Sequence, residues 1–165
     1  SEDFSKNAVD NQLLITPDWL NIAQIGSVRW KTQIYQGNAY AEFTSYQSQD
    51  VTNIGWLISP EIDMDQHENE ILQFQTAQSF VSSAANSLQV MVCNDFDGVN
   101  VENATWILLN PILPTTTSAY YEFIKSGEVD LSAFTGKIRL GFKVKGGKDT
   151  AIDGTYQVDN IRIIY

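Results

Sequence analysis

The chain has 165 residues, with 20 acidic and 10 basic side chains, a net charge of −10 at pH 7, one Cys and one His. The acidic excess argues against nucleic-acid binding, which needs a basic surface, and the single Cys excludes internal disulfides and cysteine-rich metal clusters. No run of about 18 apolar residues is present, so we expect no direct membrane insertion by this chain.

Short stretches of alternating apolar and polar residues, typical of β-strands, follow one another along the whole chain. In chain order they predict strands at residues 28–35, 39–44, 56–58, 72–77, 88–93, 105–109, 137–145 and 155–165. Residues 109–117 form the longest predicted loop, and the only predicted helical turn lies at residues 130–134. A shift of the apolar phase between Val158 and Ile161 predicts a β-bulge or a change of packing partner in the last strand.

These strands predict one all-β domain that covers residues 1–165. We expect an antiparallel two-sheet β-sandwich in which one face of each sheet is buried in a shared core. No linker, repeat or low-complexity segment divides the chain. We also expect the domain to be a monomer.

Basic residues are concentrated on one predicted strand and just after it. They are Lys137, Arg139, Lys143, Lys145 and Lys148. Alternate positions of a strand share a face, so four of these side chains line one side. The pattern favours a solvated edge strand whose lysines prevent aggregation, and the alternative is a contact patch for an acidic glycan or a protein.

Several short motifs occur in a fixed order from one end of the chain to the other. They are EDF at residues 2–4, WLISPEID at 56–63, NDFDG at 94–98, SGEVDLS at 126–132 and YQVDNI at 156–161. This set resembles the choice-of-anchor J domains, which are related to the cleaved-adhesin domains of gingipain proteases and occur in surface and secreted proteins of Bacteroidetes-type bacteria. The resemblance implies a jelly roll of the galactose-binding or carbohydrate-binding-module type, exported to the cell surface or beyond, often with a lipoprotein anchor. It implies no single activity.

The resemblance also implies a structural calcium ion that joins the two ends of the chain. In related jelly rolls, calcium ties an acidic residue of the opening strand to an Asp of the closing strand. Those positions here are Glu2 or Asp3, and Asp159, with Asn38 as a further ligand. Calcium prefers such carboxylate and amide oxygens.

An acidic loop provides the alternative calcium site. Asp95 and Asp97 supply carboxylates close together in the sequence, but the residues do not follow the order of an EF-hand loop. A turn stabilised by Asx side chains explains the same residues without a metal ion.

Catalytic motifs are not apparent in the sequence. His67 lies in a polar connection without a recognisable partner, and Cys93 has no second thiol and lies within a strand pattern. We therefore predict no catalytic residues and no enzymatic activity. A glycoside-type hydrolase with two facing carboxylates stays an alternative, because the sequence does not encode distances between strands.

Aromatic side chains are the best candidates for ligand contacts, because exposed rings stack on sugars. The candidates are Trp19, Trp30, Tyr35, Tyr46, Tyr120 and Tyr121. The predicted function is a non-catalytic binding module for adhesion or carbohydrate binding, with a carbohydrate or a surface protein as its partner. The alternative is a protein–protein interaction domain or a structural domain of a surface lipoprotein.

Overall fold

Two antiparallel β-sheets pack face to face in the computed structural model, which describes residues 1–165. The strands are, in chain order, β1 Gln12–Leu13, β2 Leu20–Ile25, β3 Lys31–Tyr35, β4 Asn38–Thr44, β5 Asn53–Ile58, β6 Ile62–Asp63, β7 Ile71–Ser79, β8 Ser87–Cys93, β9 Ile107–Leu108, β10 Ile124–Lys125, β11 Val129–Asp130, β12 Lys137–Gly146 and β13 Thr155–Ile164. The predicted all-β, two-sheet sandwich is confirmed. No helix in the molecule is long and apolar enough to span a membrane.

Each sheet is built from strands that are distant in sequence. Sheet I has the order β1-β3-β4-β13-β7-β10, and β11 also pairs with β7. Sheet II has the order β2-β5-β12-β8-β9, and β6 pairs with β12. Such long-range pairing places the closing strand β13 between β4 and β7, in the middle of sheet I.

The inner faces of the two sheets share a core of 22 buried apolar residues. Alternation explains the contribution of each strand: Phe142 and Val144 of β12 face the core, as do Tyr156 and Val158 of β13. The close approach of the sheets at one point requires a glycine. A Cβ atom on Gly55 of β5 would lie 2.0 Å from Cε2 of Phe43 in the opposite sheet.

Strand β2 is absent from the sequence prediction, because its apolar side chains lie on the outer face of the sheet and a polar side chain faces inward. Leu20 and Ile22 pack in a small cluster around Trp56 on the outer face of sheet II. Asn21 lies between them, and its side chain forms hydrogen bonds with the backbone of Trp30 at 2.8 and 2.9 Å. A polar residue that satisfies buried backbone groups therefore replaces the expected apolar one.

The predicted helical turn at residues 130–134 is present only as a single turn, closed by a hydrogen bond of 3.0 Å from Phe134 N–H to the Leu131 carbonyl. Val129 and Asp130 form β11, which pairs with Leu72 and Ile71 of β7. The Asp130 carboxylate accepts a hydrogen bond of 2.8 Å from the backbone N–H of Ser132, which stabilises the start of this turn. The one short helical segment is a 3₁₀ turn at Val101–Asn103.

The predicted position of the basic strand is wrong. β12 pairs with β5 on one side and with β8 on the other, so it lies in the interior of sheet II and not at an edge. Its basic side chains project from the outer face, where Lys143 lies over the ring of Trp56 and Arg139 lies over the ring of Phe96. Protection of an exposed edge therefore does not explain them.

The predicted bulge in the last strand is confirmed. The register of β13 against β7 shifts between Asp159 and Arg162, and Asn160 has a φ of 51°. The extra residue turns the Asn160 side chain towards Gln75 of β7, with which it forms a hydrogen bond of 2.8 Å.

Gly55→Ala is expected to lower the free energy of unfolding by about 1–3 kcal/mol, because the new methyl group overlaps the Phe43 ring. Urea denaturation measures this change. Phe43→Leu in the same chain is expected to restore part of the loss, since a smaller side chain leaves room for the methyl group. If Gly55→Ala lowers the free energy of unfolding equally with and without Phe43→Leu, the overlap with the Phe43 ring is contradicted.

Candidate functional site

A groove of about 690 Å³ lies on the outer face of sheet I, and exposed aromatic rings form much of its wall. We call it the aromatic groove. Its four aromatic residues are Tyr46, Phe80, Tyr120 and Tyr121, and its six polar residues are Glu42, Thr44, Ser82, Thr150, Asp153 and Thr155. Its size is within the range of pockets that bind small organic ligands.

Two neighbouring strands supply the polar floor of the aromatic groove. Thr44 of β4 lies directly opposite Thr155 of β13, and the Thr155 hydroxyl donates to Thr44 Oγ1 at 2.8 Å. The adjacent residues Phe43 and Tyr156 face the core, so alternation directs both threonines outward. Hydroxyl groups are therefore fixed by the sheet itself at the base of the groove.

Two aromatic residues of the groove have unfavourable backbone conformations. Phe80 and Tyr121 have φ values of 59° and 60°, in the left-handed region that bulky side chains rarely adopt. Such a conformation costs about 1–3 kcal/mol unless the surroundings compensate for it. Phe4 has a similar φ but is buried in the core, whereas the side chains of Phe80 and Tyr121 are each 58% exposed.

One buried side chain, that of Gln78, holds both strained segments. Its Oε1 accepts a hydrogen bond from Val81 N–H at 3.1 Å, and its Nε2 donates to the Ser118 carbonyl at 2.7 Å. The Gln78 carbonyl accepts from Tyr121 N–H at 2.9 Å. Gln78 therefore fixes the turn after β7 relative to the segment that carries Tyr121.

The rings of the groove do not form a flat surface. The centroids of Phe80 and Tyr120 are 4.7 Å apart, and their planes are inclined by 46°. Tyr121 follows Tyr120 directly but leaves the chain from a left-handed turn, so its ring has a different direction. The aromatic wall is therefore angular.

Glu42 and Asp153 are the only charged residues that line the aromatic groove. Burial raises the pKa of Glu42, although a hydrogen bond of 3.0 Å from Gln157 Nε2 opposes this change. Burial, followed by the charge of Glu42, raises the pKa of the neighbouring Tyr40 to about 12. The electrostatic environment is thus acidic and contains no lining cation.

The rest of this outer face is covered by the segment that precedes β10. The Phe123 ring contacts Tyr40 of β4 edge to face, with centroids 5.5 Å apart. Since β13 and β7 lie between β4 and β10, the segment extends over both strands. This arrangement accounts for the burial of Ala77 and Gln157, which face outward, and limits the aromatic groove to one end of the sheet.

The structure brings together three of the six aromatic candidates from the sequence. Tyr46, Tyr120 and Tyr121 all line the groove, while Tyr35 is 66% exposed but lies outside it. Phe80 was not a candidate. The sequence shows that Phe80 follows a strand. It does not show the left-handed φ, because Gly and Asn are the residues that usually indicate this conformation.

Of the two tryptophan candidates, Trp30 is wrong as a ligand platform, and Trp19 is partly buried and lies outside the aromatic groove. Trp30 is 0% exposed, and its ring packs against Phe43 with centroids 5.6 Å apart. Trp19 packs against the core and contacts Phe4 edge to face at 5.8 Å. Both rings are used for packing, as large apolar side chains commonly are.

The candidate calcium ligands lie at one end of sheet I. Asp159 is 2% exposed, and its carboxylate accepts hydrogen bonds from Asn38 Nδ2 at 3.0 Å and from Asn160 N–H at 2.7 Å. Burial raises the pKa of Asp159, and the charges of Asp3 and Glu2 act in the same direction. The backbone of Glu2 pairs with that of Ile161, which brings the first residues beside the closing strand.

These residues fit calcium in ligand type, since three carboxylates and an amide are donors that it accepts. Their present arrangement is looser than a metal cage. Glu2 accepts from Phe4 N–H and Thr16 Oγ1, and Asp3 accepts from Ser5, so donors of the chain occupy both carboxylates. No three Asp, Glu, His or Cys side chains of the molecule are grouped to hold a metal ion.

In the alternative calcium loop, each carboxylate stabilises its own turn. Asp95 accepts two hydrogen bonds from Thr105 N–H, at 2.9 and 3.1 Å. Asp97 accepts from the backbone N–H groups of Val99 and Asn100, at 2.8 and 2.7 Å. These contacts account for both residues without a cation.

His67 and Cys93 both lie outside the aromatic groove. The His67 ring stacks on Tyr165, with centroids 3.6 Å apart. Cys93 is a free, buried thiol, and burial raises its pKa, which is the opposite of what activates a cysteine nucleophile.

Comparison with solved structures shows the fold class. The K3 cleaved adhesin domain of Lys-gingipain from Porphyromonas gingivalis is 18% identical, with a TM-score of 0.58 over 99% of this chain and 97% of that domain. The K1 cleaved adhesin domain of the same protein is 17% identical, with a TM-score of 0.55 over 99% and 95%. The family 30 carbohydrate-binding module of a cellulosomal cellulase from Clostridium thermocellum is 16% identical, with a TM-score of 0.51 over 94% and 93%.

The chain therefore has a jelly-roll fold like that of the cleaved adhesin domains. No protein-family model matches the sequence. No curated protein matches it either. At identities below one fifth, these structural neighbours show the architecture alone.

Phe80→Asn is expected to leave the free energy of unfolding unchanged or to raise it by up to about 1 kcal/mol, because Asn tolerates a left-handed φ. Tyr35→Asn is the matched control: it makes a similar change at an exposed strand position, and it is expected to cost up to about 1 kcal/mol because Asn is unfavourable in strands. Urea denaturation compares the two variants. A greater loss for Phe80→Asn than for Tyr35→Asn would show that Phe80 stabilises the fold and is not strained.

Proposed function

We propose that this protein is a non-catalytic binding module that recognises carbohydrate through the aromatic groove. The observation that carries the proposal is the exposure of Phe80 and Tyr121 in strained conformations. Exposed rings gain little free energy from burial, so their packing does not offset the cost of the left-handed backbone conformation. Stacking on the apolar faces of sugar rings gives these side chains a role that folding alone does not.

The structural neighbours support a binding role and an exported setting. Two of them are adhesin domains of a gingipain, and one is a carbohydrate-binding module of a cellulosomal enzyme. We propose by analogy that the domain belongs to the choice-of-anchor J and cleaved-adhesin group and works at the cell surface or outside the cell. Adhesion would then follow from binding of surface glycans.

The contents of the groove favour binding over hydrolysis. Glycoside hydrolases hold two carboxyl groups about 5–10 Å apart on either side of the bond that they cleave. Glu42 and Asp153 are the only acids among the ten lining residues, four of which are aromatic and three of which are threonines. Glu42 lies opposite Gln157 in the β4–β13 pair, whereas Asp153 lies before β13 begins at Thr155. Glu42 is also hydrogen-bonded to Gln157.

Tyr46→Ala and Phe80→Ala are expected to weaken glycan binding at least tenfold, because each removes a stacking surface. A glycan array of plant, host and bacterial polysaccharides identifies the ligand, and calorimetry then measures the affinity of each variant. Tyr35→Ala is the matched control, since Tyr35 and Tyr46 are both 66% exposed and only Tyr46 lines the groove.

Three outcomes would count against this proposal. No binding to any polysaccharide on the array would favour the alternative of a protein–protein interaction or structural domain. Equal losses of affinity in Tyr35→Ala and Tyr46→Ala would place the binding site elsewhere on the surface. Release of reducing sugars from the bound glycan would instead show a hydrolase.

We also propose that a structural calcium ion binds among Glu2, Asp3, Asn38 and Asp159. The buried Asp159 carboxylate and the nearby acidic side chains support this proposal, because a cation would offset their repulsion. Asp3 and Glu2 would exchange their hydrogen bonds with the chain for the ion. The ion would connect the first residues to the closing strand.

Calcium at one hundred times its dissociation constant is expected to stabilise the fold by about 2.7 kcal/mol, which raises the Tm by roughly 5–10 °C relative to protein in chelator. Thermal melts with added calcium and with chelator measure the difference. Asp159→Asn keeps one of the two acceptor oxygens and replaces the other with an NH2 donor, so it is expected to lower the Tm in chelator and to abolish most of the calcium response. An unchanged Tm of the unsubstituted protein, together with no calcium by elemental analysis, would refute the calcium site.

A further inference from the structure

We propose that the aromatic groove selects a single, uncharged glycan chain and discriminates against both anionic polysaccharides and flat crystalline polysaccharide surfaces. This inference rests on the proposed function and adds the class of ligand. Three properties of the groove support it: the inclination of its rings, the sign of its charges and the chemistry of its floor.

The inclination of the rings excludes a flat ligand. The planes of Phe80 and Tyr120 are inclined by 46° with centroids only 4.7 Å apart, so the two rings cannot lie flat on one plane together. The face of a polysaccharide crystal is such a plane. A single dissolved chain can rotate about its glycosidic bonds and present successive sugar faces to inclined rings.

The charges of the groove disfavour an anionic ligand. Glu42 and Asp153 line it without any basic residue. Arg29 and Lys31 line the adjoining depression beyond Glu42 and Tyr46, so the negative charge is concentrated at the end of the groove that holds Asp153. The basic side chains of β12 project from the opposite sheet. Sheets in a sandwich are about 10 Å apart, so these side chains lie on the far side of the molecule, where they do not contact a ligand in the groove. They therefore do not offset the acidic groove.

The floor of the groove favours a ligand rich in hydroxyl groups. Thr44 and Thr155 present hydroxyls that both donate and accept hydrogen bonds. Beneath them the outer face stays polar: Ser79 lies opposite Thr155 on β7, and Ser79 Oγ has no hydrogen-bond partner. Because the Thr155 hydroxyl already donates to Thr44 Oγ1, the Thr44 hydroxyl hydrogen and the Thr155 lone pairs remain for a ligand, and sugar hydroxyls match both.

Affinity electrophoresis on paired soluble polysaccharides tests the inference. The pairs are hydroxyethylcellulose with carboxymethylcellulose, galactomannan with its carboxylated derivative, and galactan with polygalacturonate. We expect at least one neutral member to bind at least tenfold more tightly than its charged counterpart. Microcrystalline cellulose is expected to retain no more of the unsubstituted protein than of Tyr46→Ala.

Asp153→Asn provides the direct test of charge selection. It is expected to narrow the ratio of affinities between the neutral and the charged member of a pair by threefold or more. Asp18→Asn is the matched control, because it removes an equal charge at an exposed position outside the groove and is expected to leave the ratio unchanged.

The outcomes separate this inference from the proposed function. Equal or tighter binding of charged members that is lost in Tyr46→Ala would overturn charge selection while the carbohydrate-binding function stands. Retention on microcrystalline cellulose that is lost in Tyr46→Ala would overturn the single-chain requirement in the same way. No binding to any of the polysaccharides would overturn both.

Discussion

The register of β13 is the constraint on which the rest of this molecule depends. The strand is paired on both sides, with β4 and β7, so its alternation determines three regions at once. Tyr156 and Val158 enter the core, Thr155 forms part of the groove floor, and Asp159 reaches the acidic end of the sheet. A slip by one residue would exchange all inward and outward side chains, so neither the core nor the groove would survive it.

The aromatic rings of the groove owe their positions to polar contacts and not to their own packing. Gln78 is fully buried, and its side chain and carbonyl connect the turn after β7 with the segment that contains Tyr121. A satisfied buried amide of this kind makes a local arrangement specific. Phe80 and Tyr121 can therefore remain exposed in unfavourable backbone conformations, which an exposed ring could not sustain alone.

The sequence allowed most strands to be predicted, because alternation directly reports which side chains share a face. It failed for β2, where Asn21 faces inward to satisfy the backbone of Trp30, and it could not place β12 within its sheet, since alternation does not encode which strands are neighbours. The aromatic groove could not be predicted for the same reason, since it depends on which strands are neighbours. Tyr46 and Tyr120 are far apart in sequence and meet only through the order of strands in sheet I.

All four tryptophans lie away from the groove. Trp19 and Trp30 pack against the main core, and Trp56 and Trp106 lie 4.7 Å apart on the outer face of sheet II. Tryptophan emission and the circular dichroism of the coupled indole pair therefore report on the integrity of the sandwich. Because only tyrosine and phenylalanine line the groove, occupancy by a ligand leaves these signals unchanged. The molecule carries an optical reporter of its folding that does not sense the aromatic groove.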